Sequence, residues 1–403
     1  MRLKDLVYIN SSTLPEDTNS SYCFNYIDIS SVSGEGGISM DTCYNFGEAP
    51  SRARRIVKKG DVLISTVRTY LRAIAAIDFD AKDIVASTGF AVCSPKKNIA
   101  SKYLSYAVRN NLVIADICKE STGVSYPAIP AARLSSIEIP FCEIAEQRAI
   151  ADYLDKKTVE IDTQISLLEN KQKAYEKLKC SLIDKVVTCG LNPDVELKDS
   201  GIDWIGEIPV HWEVKRLKSI FSECKEISST GNEDLLSVSE YYGVARRLDV
   251  MDEDEYDTRA DSLVGYKICK KDDLVINIML AWKRGLGFSD YDGIVSPAYA
   301  VYRGKNIVPH YYHYLLRTNK YIAEFKRNSK GIIDSRLRLY SDRFFAINTI
   351  VPPLEEQLAV ADYLDKKTAE IDECISLTDK KIKAYKRLKQ SLIDEVVTGK
   401  RKI

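Results

Sequence analysis

Side chains with the spacing of a catalytic or metal site are scarce in this chain. Only three histidines occur, and His310 and His313 stand at i and i+3, where both could face one metal ion on a helix. No third ligand lies nearby in sequence, so we favour an ordinary helix surface for this pair. Residues 193–198 superficially resemble a nuclease Pro-Asp…Glu-x-Lys signature, but the gap is too short to place the carboxylates on adjacent strands.

Cofactor-binding loops are also missing from the sequence. It contains no Gly-x-x-x-x-Gly-Lys-[Ser/Thr] loop for nucleotide phosphates and no Gly-x-Gly-x-x-Gly loop for a dinucleotide. Residues 192–194 lack the second proline and the aromatic residue of an amino-methyltransferase motif, and no Ser/His/Asp set can be assembled. We therefore predict a protein with no catalytic residues, no cofactor and no metal site.

Local groups of basic, aromatic and hydroxyl side chains offer another chemistry, the binding of nucleic acid. Arg and Lys neutralise phosphates, and Arg also reads base edges. A solvated charged face is the alternative for every residue in these groups. The candidates for DNA contact are Arg52, Arg54, Arg55, Lys58, Thr66, Arg68, Tyr70, Arg72, Thr122, Ser125, Tyr126, Trp282, Lys283, Arg284, Lys330, Arg336 and Arg338.

Two stretches of the first half carry seven of these candidates. Every second residue from Thr66 to Arg72 is a candidate, so an extended backbone would place them on one side. The Ser-Thr-Gly-Val-Ser-Tyr segment at 121–126 has a counterpart at 329–331 in the second half. Both segments are further candidates for DNA contact, with a simple turn as the alternative.

The composition limits the class of protein. The chain has 403 residues, of which 45% are hydrophobic, enough for about two to three domains with true cores. Because 58 Lys and Arg balance 58 Asp and Glu, a nucleic-acid surface would have to be local. Ten cysteines occur without a Cys-x-x-Cys pair, and the sequence shows neither a secretory signal nor a membrane-length apolar run. We predict a cytoplasmic protein with reduced thiols that does not bind a membrane.

A long helix that is present twice must position these groups. Residues 146–188 and 356–398 align without a gap at an offset of 210 residues, and about two thirds of the positions are identical. Apolar residues recur every seven positions, which predicts a seam facing another helix. The seam residues are Leu154, Ile161, Ile165, Leu168, Tyr175, Leu182, Leu364, Ile371, Ile375, Tyr385 and Leu392, joined by Leu178 and Leu388.

We predict that the two helices pair with each other in an antiparallel coiled coil. A rod of about 43 residues is roughly 65 Å long at ~1.5 Å per residue, and its one-sided apolar seam needs a partner. The alternative is that each helix packs only against its own globular domain. Such a pseudo-two-fold arrangement suits a long ligand with two-fold shape, of which duplex DNA is the leading case.

The remaining chain divides into two mixed α/β domains that repeat one another at low identity. Short β-rich runs, for example at residues 62–67 and 84–92, alternate with turns, and residues 270–276 match residues 58–64. The predicted fold class is α+β, with two mixed domains separated by two long helices in a pseudo-two-fold repeat. The predicted divisions are residues 1–142 (first domain), 143–190 (first helix), 191–212 (linker), 213–353 (second domain) and 354–403 (second helix).

Several short motifs point to a family. They are Pro-Pro-Leu-Glu-Glu-Gln at 352–357, Ile-Gly-Glu-Ile-Pro-x-His-Trp at 205–212, and strand motifs at 61–65 and 294–299. With the paired helices, they make nearly the whole chain resemble the DNA-specificity subunit of a type I restriction-modification system. One departure is that the first domain lacks a counterpart of residues 204–212, because Met1 aligns directly with Lys215.

The resemblance implies two target-recognition domains, each reading one half of a bipartite asymmetric site in double-stranded DNA. The helices would dock two methyltransferase subunits, and restriction/translocase subunits would join that core. The family's specificity subunit catalyses nothing, because DNA methylation and ATP-dependent cleavage belong to its partners. Two rival interpretations remain: a coiled-coil scaffold that assembles proteins without reading DNA, and an enzyme with an unrecognised site. The family interpretation also leaves open a system that only methylates.

Overall fold

The chain folds into two compact units. The computed structural model describes residues 1–40, 42–250 and 262–403. The first unit comprises Met1–Asn170 and Asp379–Ile403, and the second comprises Lys171–Thr378. Among the described residues, no helix is both long enough and apolar enough to cross a membrane.

The first unit contains two four-stranded sheets and short helices. Its strands are β1 (Val7–Ile9), β2 (Cys23–Ile27), β3 (Cys43–Asn45), β4 (Ala53–Ile56), β5 (Val62–Ser65), β6 (Ile74–Ala76), β7 (Ile84–Ser87) and β8 (Phe90–Pro95). Its short helices are α1 (Leu3–Leu6), α2 (Ser101–Val108), α3 (Asn111–Lys119) and α4 (Ala131–Leu134). One sheet has the antiparallel order β1-β8-β5-β6, and the other has the order β3-β2-β7-β4 with β2 and β7 parallel.

Strand β5 shows why these residues form a central strand. All four of its residues are buried, which is the pattern of a strand covered on both faces. Val62 and Ile64 join the apolar cluster that contains the helices, whereas Leu63 points to the cluster shared with the second sheet. The alternation of successive side chains across a strand places one sheet between two cores.

The second unit repeats the first sheet and adds hairpins. Its strands are β9 (Leu197–Asp199), β10 (Glu207–Pro209), β11 (Glu213–Arg216), β12 (Phe221–Cys224), β13 (Leu236–Ser239), β14 (Gly243–Arg246), β15 (Lys267–Cys269), β16 (Asp273–Asn277), β17 (Leu286–Phe288), β18 (Gly293–Val295), β19 (Tyr299–Gly304) and β20 (Asn348–Val351). Strand order β12-β19-β16-β17 corresponds to β1-β8-β5-β6, so the internal repeat of the domains is present in the fold. The pairs β9-β10, β11-β20, β13-β14 and β15-β18 form two-stranded sheets.

The helices of the chain complete both units. Those of the second unit are α6 (Leu217–Ile220), α7 (Arg247–Val250), α8 (Pro309–Leu316), α9 (Asn319–Asn328) and α10 (Ser341–Ala346). The two long helices are α5 (Ile144–Cys189) and α11 (Leu354–Val397), and each contributes residues to both units. Gly190, which follows α5, has a φ of +76°, a conformation that favours glycine and ends the helix.

Two segments differ from the sequence-based expectation. The run at 84–92 is two strands, β7 and β8, which lie in different sheets. A Cβ atom at Gly89, between them, would lie 2.6 Å from Ile29 Cδ1, so a larger residue there would have to displace the Ile29 side chain. The predicted linker at 191–212 is folded, because Ile208 and Trp212 are buried in the core of the second unit.

At one edge of each globular domain, the first residues of the domain pair with residues near its end. In the second unit, β11 pairs with β20 along this edge. In the first unit, the Leu3 amide donates to the Ile137 carbonyl, and the Ile139 amide donates to the Met1 carbonyl, both at 2.9 Å. The N-terminal ammonium of Met1 adds a 3.0 Å bond to the Ile139 carbonyl.

Helices α5 and α11 pair in both units and run antiparallel. In the first unit, Lys389 Nζ donates to both carboxylate oxygens of Asp162 at 2.7 Å. In the second unit, Lys179 Nζ donates to those of Asp372 at 2.6 and 2.7 Å. The two ion pairs are equivalent under the 210-residue repeat. As the position along α5 increases from Asp162 to Lys179, the partner on α11 changes from Lys389 to Asp372. The two helices therefore run antiparallel.

Most of the predicted seam is buried where these helices meet. Leu154, Ile161 and Ile165 share one apolar cluster with Ile382 and Leu392 of α11. Leu364 and Ile371 are also buried, and the partly buried seam residues are Leu168, Tyr175, Leu182, Ile375 and Tyr385. Ile382 lies seven residues after Ile375 and continues the pattern, but its equivalent in α5 is Gln172, and the prediction did not include it.

Leu178 and Leu388 do not belong to the seam. Their side chains are 53% and 50% exposed, so their assignment to the buried stripe was wrong. The physical reason is that the second buried row lies four positions after the first, as Ile165 follows Ile161, a step of about +40° around the helix. Leu178 lies three positions after Tyr175, a step of about −60° to the other side. This step carries the side chain away from the paired face.

Identical residues of the two helices also attach each domain to its own helix. Buried Gln147 accepts a bond from the Ala100 amide and donates to the Cys142 carbonyl, both at 2.8 Å. Buried Gln357 accepts from the Val308 amide at 2.8 Å in the second unit. Both glutamines therefore satisfy backbone groups that burial would otherwise leave unpaired.

A second repeated contact joins a tyrosine to a helix carboxylate. Tyr106 Oη donates to Asp155 at 2.9 Å, and Tyr314 Oη donates to Asp365 at 2.7 Å. Burial is the main cause that raises the pKa of each tyrosine to about 12, so both hydroxyls stay protonated and can donate at neutral pH. Part of the identity between the two helices thus has a structural cause.

Replacing Leu154 with alanine should destabilise the first unit by about 2–5 kcal/mol, because the side chain is fully buried and its removal leaves a cavity. Denaturant unfolding of the full chain measures this loss. The matched control is Leu178→Ala, the same change at a half-exposed position of the same helix, with an expected loss under about 1 kcal/mol. Equal losses in the two variants would contradict the packing described for α5.

Candidate nucleic-acid interface

The loop after β5 places several predicted DNA contacts, but not in an extended conformation. A 3-10 turn at Thr69–Leu71 is flanked by Arg68 and Arg72, whose φ values are +50° and +57°. The prediction that alternate residues share one side is therefore wrong, because the turn reverses the chain between β5 and β6. The Thr66 hydroxyl donates to the Gly89 carbonyl at 2.9 Å, which holds that side chain against its own unit.

Arg68 connects this loop to the second predicted stretch. Its guanidinium lies 4.2 Å from the ring centroid of Tyr126, and its amide donates to the Pro127 carbonyl at 2.7 Å. Its Nε is buried and has no hydrogen-bond partner. Tyr126 is largely exposed, as are Thr122, Ser125 and Tyr70. The fold therefore brings two segments that are about 50 residues apart in sequence into one surface, which we call loop surface 1 (residues 66–72 and 121–129).

The remaining candidates of the first unit lie on or near β4, an edge strand of the other sheet. Arg54 lies 4.7 Å from the Phe46 ring and donates to the Ala53 carbonyl. Arg55 Nη1 donates to Thr13 at 3.5 Å, and its Nε is buried without a partner. Arg52 and Lys58 have exposed side chains. These residues form a separate basic group from loop surface 1.

The second unit has an equivalent pair of loops, which we call loop surface 2 (residues 278–284 and 329–339). Trp282 lies at a 3-10 turn, Ala281–Lys283, and its Nε1 donates to the Met279 carbonyl at 3.1 Å. The ammonium groups of Lys283 and Lys326 lie 5.0 and 4.8 Å from the Trp282 ring. The resulting surface combines an aromatic ring with two cations, a composition suited to nucleic acid.

Arg284, in contrast, is engaged inside its own unit. Its Nε donates to the Arg317 carbonyl at 3.1 Å, and its Nη2 donates to Asn319 Oδ1 at 2.5 Å. Arg317 Nη1 returns a 3.0 Å bond to the Arg284 carbonyl. Burial, followed by the positive charge of Arg284, lowers the pKa of Arg317 to about 10. Arg284 therefore has a structural role that its sequence position did not reveal.

The later basic residues of the second unit lie on the second loop. Lys330 and Arg338 pair through two backbone hydrogen bonds of 2.9 Å, and Lys330 Nζ lies 3.7 Å from an Asp342 carboxylate oxygen. Arg338 donates to the Leu337 carbonyl at 2.8 Å. Arg336 has an exposed side chain. Sequence reasoning gave no reason to select the exposed loop residues Val124 and Ile332, which are neither charged nor aromatic.

The histidine pair does not form a metal site in the part of the chain that is described. His310 Nδ1 lies 3.1 Å from Asp365 Oδ2, whereas burial lowers the pKa of His313 to about 4. No group of three or more metal-ligating side chains occurs among these residues.

Comparison with known proteins shows which family this chain resembles. The family model "Type I restriction modification DNA specificity domain" matches residues 1–173. The MjaX specificity subunit of Methanocaldococcus jannaschii is 25% identical over 369 residues, which cover 85% of this chain and 78% of that protein. The type I restriction enzyme MjaVIII specificity subunit of the same organism is 24% identical over 339 residues, 79% of this chain and 74% of that protein.

Two solved structures are similar to this chain over its full length. A chain from a structure of type I R-M complex assembly and conformational transition gives a TM-score of 0.77 at 19% identity, covering 100% of this chain and 97% of that one. The HsdS subunit from Thermoanaerobacter tengcongensis gives 0.55 at 20% identity, with 100% and 96% covered. At these identities the likeness establishes the fold.

Residues 1–173 match the DNA specificity domain of type I restriction-modification systems, and most of the chain is similar to type I specificity subunits.

Replacing Arg284 with alanine should lower stability by about 1–2 kcal/mol, because the Arg317 carbonyl loses a charge-assisted hydrogen bond. Lys283→Ala, at the adjacent exposed residue, should leave stability unchanged but weaken DNA binding. It should also make the slope of log binding constant against log salt concentration smaller in magnitude by about 1. Denaturation and DNA titrations at several salt concentrations measure the two effects. A stable Arg284→Ala variant that binds DNA poorly would reverse our assignment.

Proposed function

We propose that each unit of this specificity subunit reads one half of a bipartite, asymmetric DNA site. The target-recognition domains are residues 1–142 and 213–353, and the long helices at 143–190 and 354–403 connect them. One observation carries the proposal: loop surfaces 1 and 2 share the same backbone frame but present different side chains. A loop backbone that is repeated in both domains but carries different side chains is suited to the recognition of two different half-sites.

The shared frame consists of equivalent hydrogen bonds. In the first unit, Thr122 and Ala128 pair through two backbone hydrogen bonds. Lys330 and Arg338 form the equivalent pair in the second unit. The side chains at these equivalent places change from hydroxyl and methyl to ammonium and guanidinium. Phosphate contacts position a protein on DNA, whereas the side chains that reach base edges determine its sequence preference.

The chain acts in this proposal as a non-catalytic subunit in the cytoplasm. Two methyltransferase subunits bind it, and restriction/translocase subunits join through the complex. The solved structure that gives the TM-score of 0.77 concerns complex assembly of a type I R-M system, which supports such partners. A methylation-only system would need the same specificity subunit without the nuclease partner.

Exposed residues that are identical in α5 and α11 support docking of two equal partners. Leu167 and Leu178 of α5 and their equivalents Leu377 and Leu388 of α11 are about half exposed. The 11-residue spacing within each pair is close to three helical turns, so both leucines lie on one face of their helix. Within the described part of the chain, none of these leucines belongs to an apolar core cluster, whereas the buried centres of protein interfaces are rich in apolar surface.

Replacing residues 1–142 with the first domain of another specificity subunit should change one half of the methylated site and leave the other half intact. The reciprocal exchange of residues 213–353 is the matched control and should change the opposite half. Methylome sequencing of cells with the native partner subunits gives the result. A change in both halves after either exchange would contradict modular reading.

A protein-only scaffold predicts a different outcome. It would bind its partners but show no preference for a methylated target sequence over competitor DNA. Gel-shift titrations of the assembled complex with specific and nonspecific duplexes separate this alternative from our proposal.

Replacing Leu167 and Leu178 with aspartate should remove one of two methyltransferase copies, because charged side chains would be buried at that interface. The equivalent change of Leu377 and Leu388 should remove the other copy. Native mass spectrometry of the complex counts the bound subunits. Leu112→Asp, at another exposed leucine outside the long helices, is the control and should retain both copies. Retention of both copies by the α5 variant would exclude this docking surface.

A further inference from the structure

Loop surfaces 1 and 2 each end in a completely exposed β-branched aliphatic residue. The side chains of Val124 and Ile332 are 102% and 101% exposed relative to the reference state. Each follows a glycine with positive φ, +112° at Gly123 and +150° at Gly331. The same arrangement therefore occurs in two domains whose other loop residues differ.

Both tips are held by hydrogen-bonded loops. The Thr122–Ala128 and Lys330–Arg338 pairs close their bases, each with two backbone bonds of 2.9 Å. In loop surface 1, the loop at 121–129 is attached to the loop after β5, because the Ile129 amide donates to the Thr66 carbonyl at 2.8 Å.

Loop surface 2 has the same attachment, from the Leu339 amide to the Ile278 carbonyl at 2.9 Å. The loop interiors are also close-packed around the glycines. A Cβ atom at Gly331 would lie 2.6 Å from the Arg336 carbonyl oxygen, and one at Gly123 would lie 3.1 Å from the Tyr126 carbonyl oxygen. Each exposed aliphatic residue is thus displayed by a built loop.

The surroundings of the tips indicate the chemistry of the partner. Arg68, stacked on Tyr126, lies on loop surface 1, and Lys330, Arg336 and Arg338 lie on loop surface 2. An exposed apolar tip beside cations is complementary to a polyanion that also offers apolar contacts. Duplex DNA has this combination, since its phosphates are anionic while thymine methyl groups and base steps accept aliphatic side chains.

We propose that Val124 and Ile332 are specificity-determining residues that make apolar contacts with the bases of their respective half-sites. This inference rests on the proposed function, because it assigns the contact to the same two loop surfaces. The shared chemistry is an aliphatic contact in a DNA groove, either with a thymine 5-methyl group or with a base step that is partly unstacked. The phosphates would be bound by the neighbouring cations.

The test uses the full chain assembled with its methyltransferase subunits and a duplex carrying the methylated target. Val124→Ser and Ile332→Ser should each reduce the preference for target over nonspecific duplex by about tenfold, within the range for one lost base contact. The salt slope and melting temperature should not change, because no cation and no buried group is removed. Val159→Ser is the matched control, since Val159 is exposed on α5 and its equivalent, Ala369, is not a valine.

Two modified duplexes distinguish the forms of contact. Replacing thymine with uracil in one half-site removes its 5-methyl groups. If the tip contacts such a methyl group, this replacement should weaken DNA binding by the wild-type complex but not by the corresponding serine variant. If the tip instead unstacks a base step, the fluorescence of 2-aminopurine placed in that half-site should increase when the wild-type complex binds, but not when the serine variant binds. Either result supports the proposal.

Other outcomes overturn it. If both serine variants keep the preference for target DNA, the tips make no base contact. If a variant loses methyltransferase binding but keeps its DNA preference, the tip contacts a protein partner instead. These results leave the proposed function in place. Absence of target preference in the wild-type complex would instead overturn the proposed function and this inference together.

Discussion

The antiparallel packing of α5 on α11 is the constraint on which the rest of the structure depends. Each helix contributes apolar residues to the cores of both units, so neither core is complete without both helices. The equivalent ion pairs Asp162–Lys389 and Asp372–Lys179 match this packing. Partly exposed pairs of this kind add little stability, but they favour one register over its alternatives.

The near-identity of the two helices has two physical causes. Gln147 and Gln357 bond to the backbone of their own units, which makes these residues necessary for the fold. Leu178 and Leu388 belong to no apolar core cluster among the described residues, and their exposure supports the docking surface that we propose. In that proposal, identity in the repeated helix combines internal attachment with a surface for partners. The internal contacts had no signal in the spacing of apolar residues.

The two loop surfaces show how one frame can carry different recognition chemistry. Backbone bonds and glycines with positive φ keep the loop conformation, while the side chains vary between units. The basic residues divide accordingly. Arg68 stacks on an exposed tyrosine of its loop surface, whereas Arg284 bonds to Arg317 and Asn319 inside its unit. Charge alone does not distinguish a DNA contact from a structural arginine.

The sequence by itself determined the repeat, the two long helices, most of the buried seam and the family, because periodic apolar residues and local motifs are properties of neighbouring positions. Only the tertiary structure decided which loops meet, which arginines are engaged and where the lead-in at 204–212 packs. Those outcomes depend on hydrogen bonds between distant segments, such as Arg68 with Pro127. Val124 and Ile332 stand out only through exposure, a quantity that the packing of the whole chain sets.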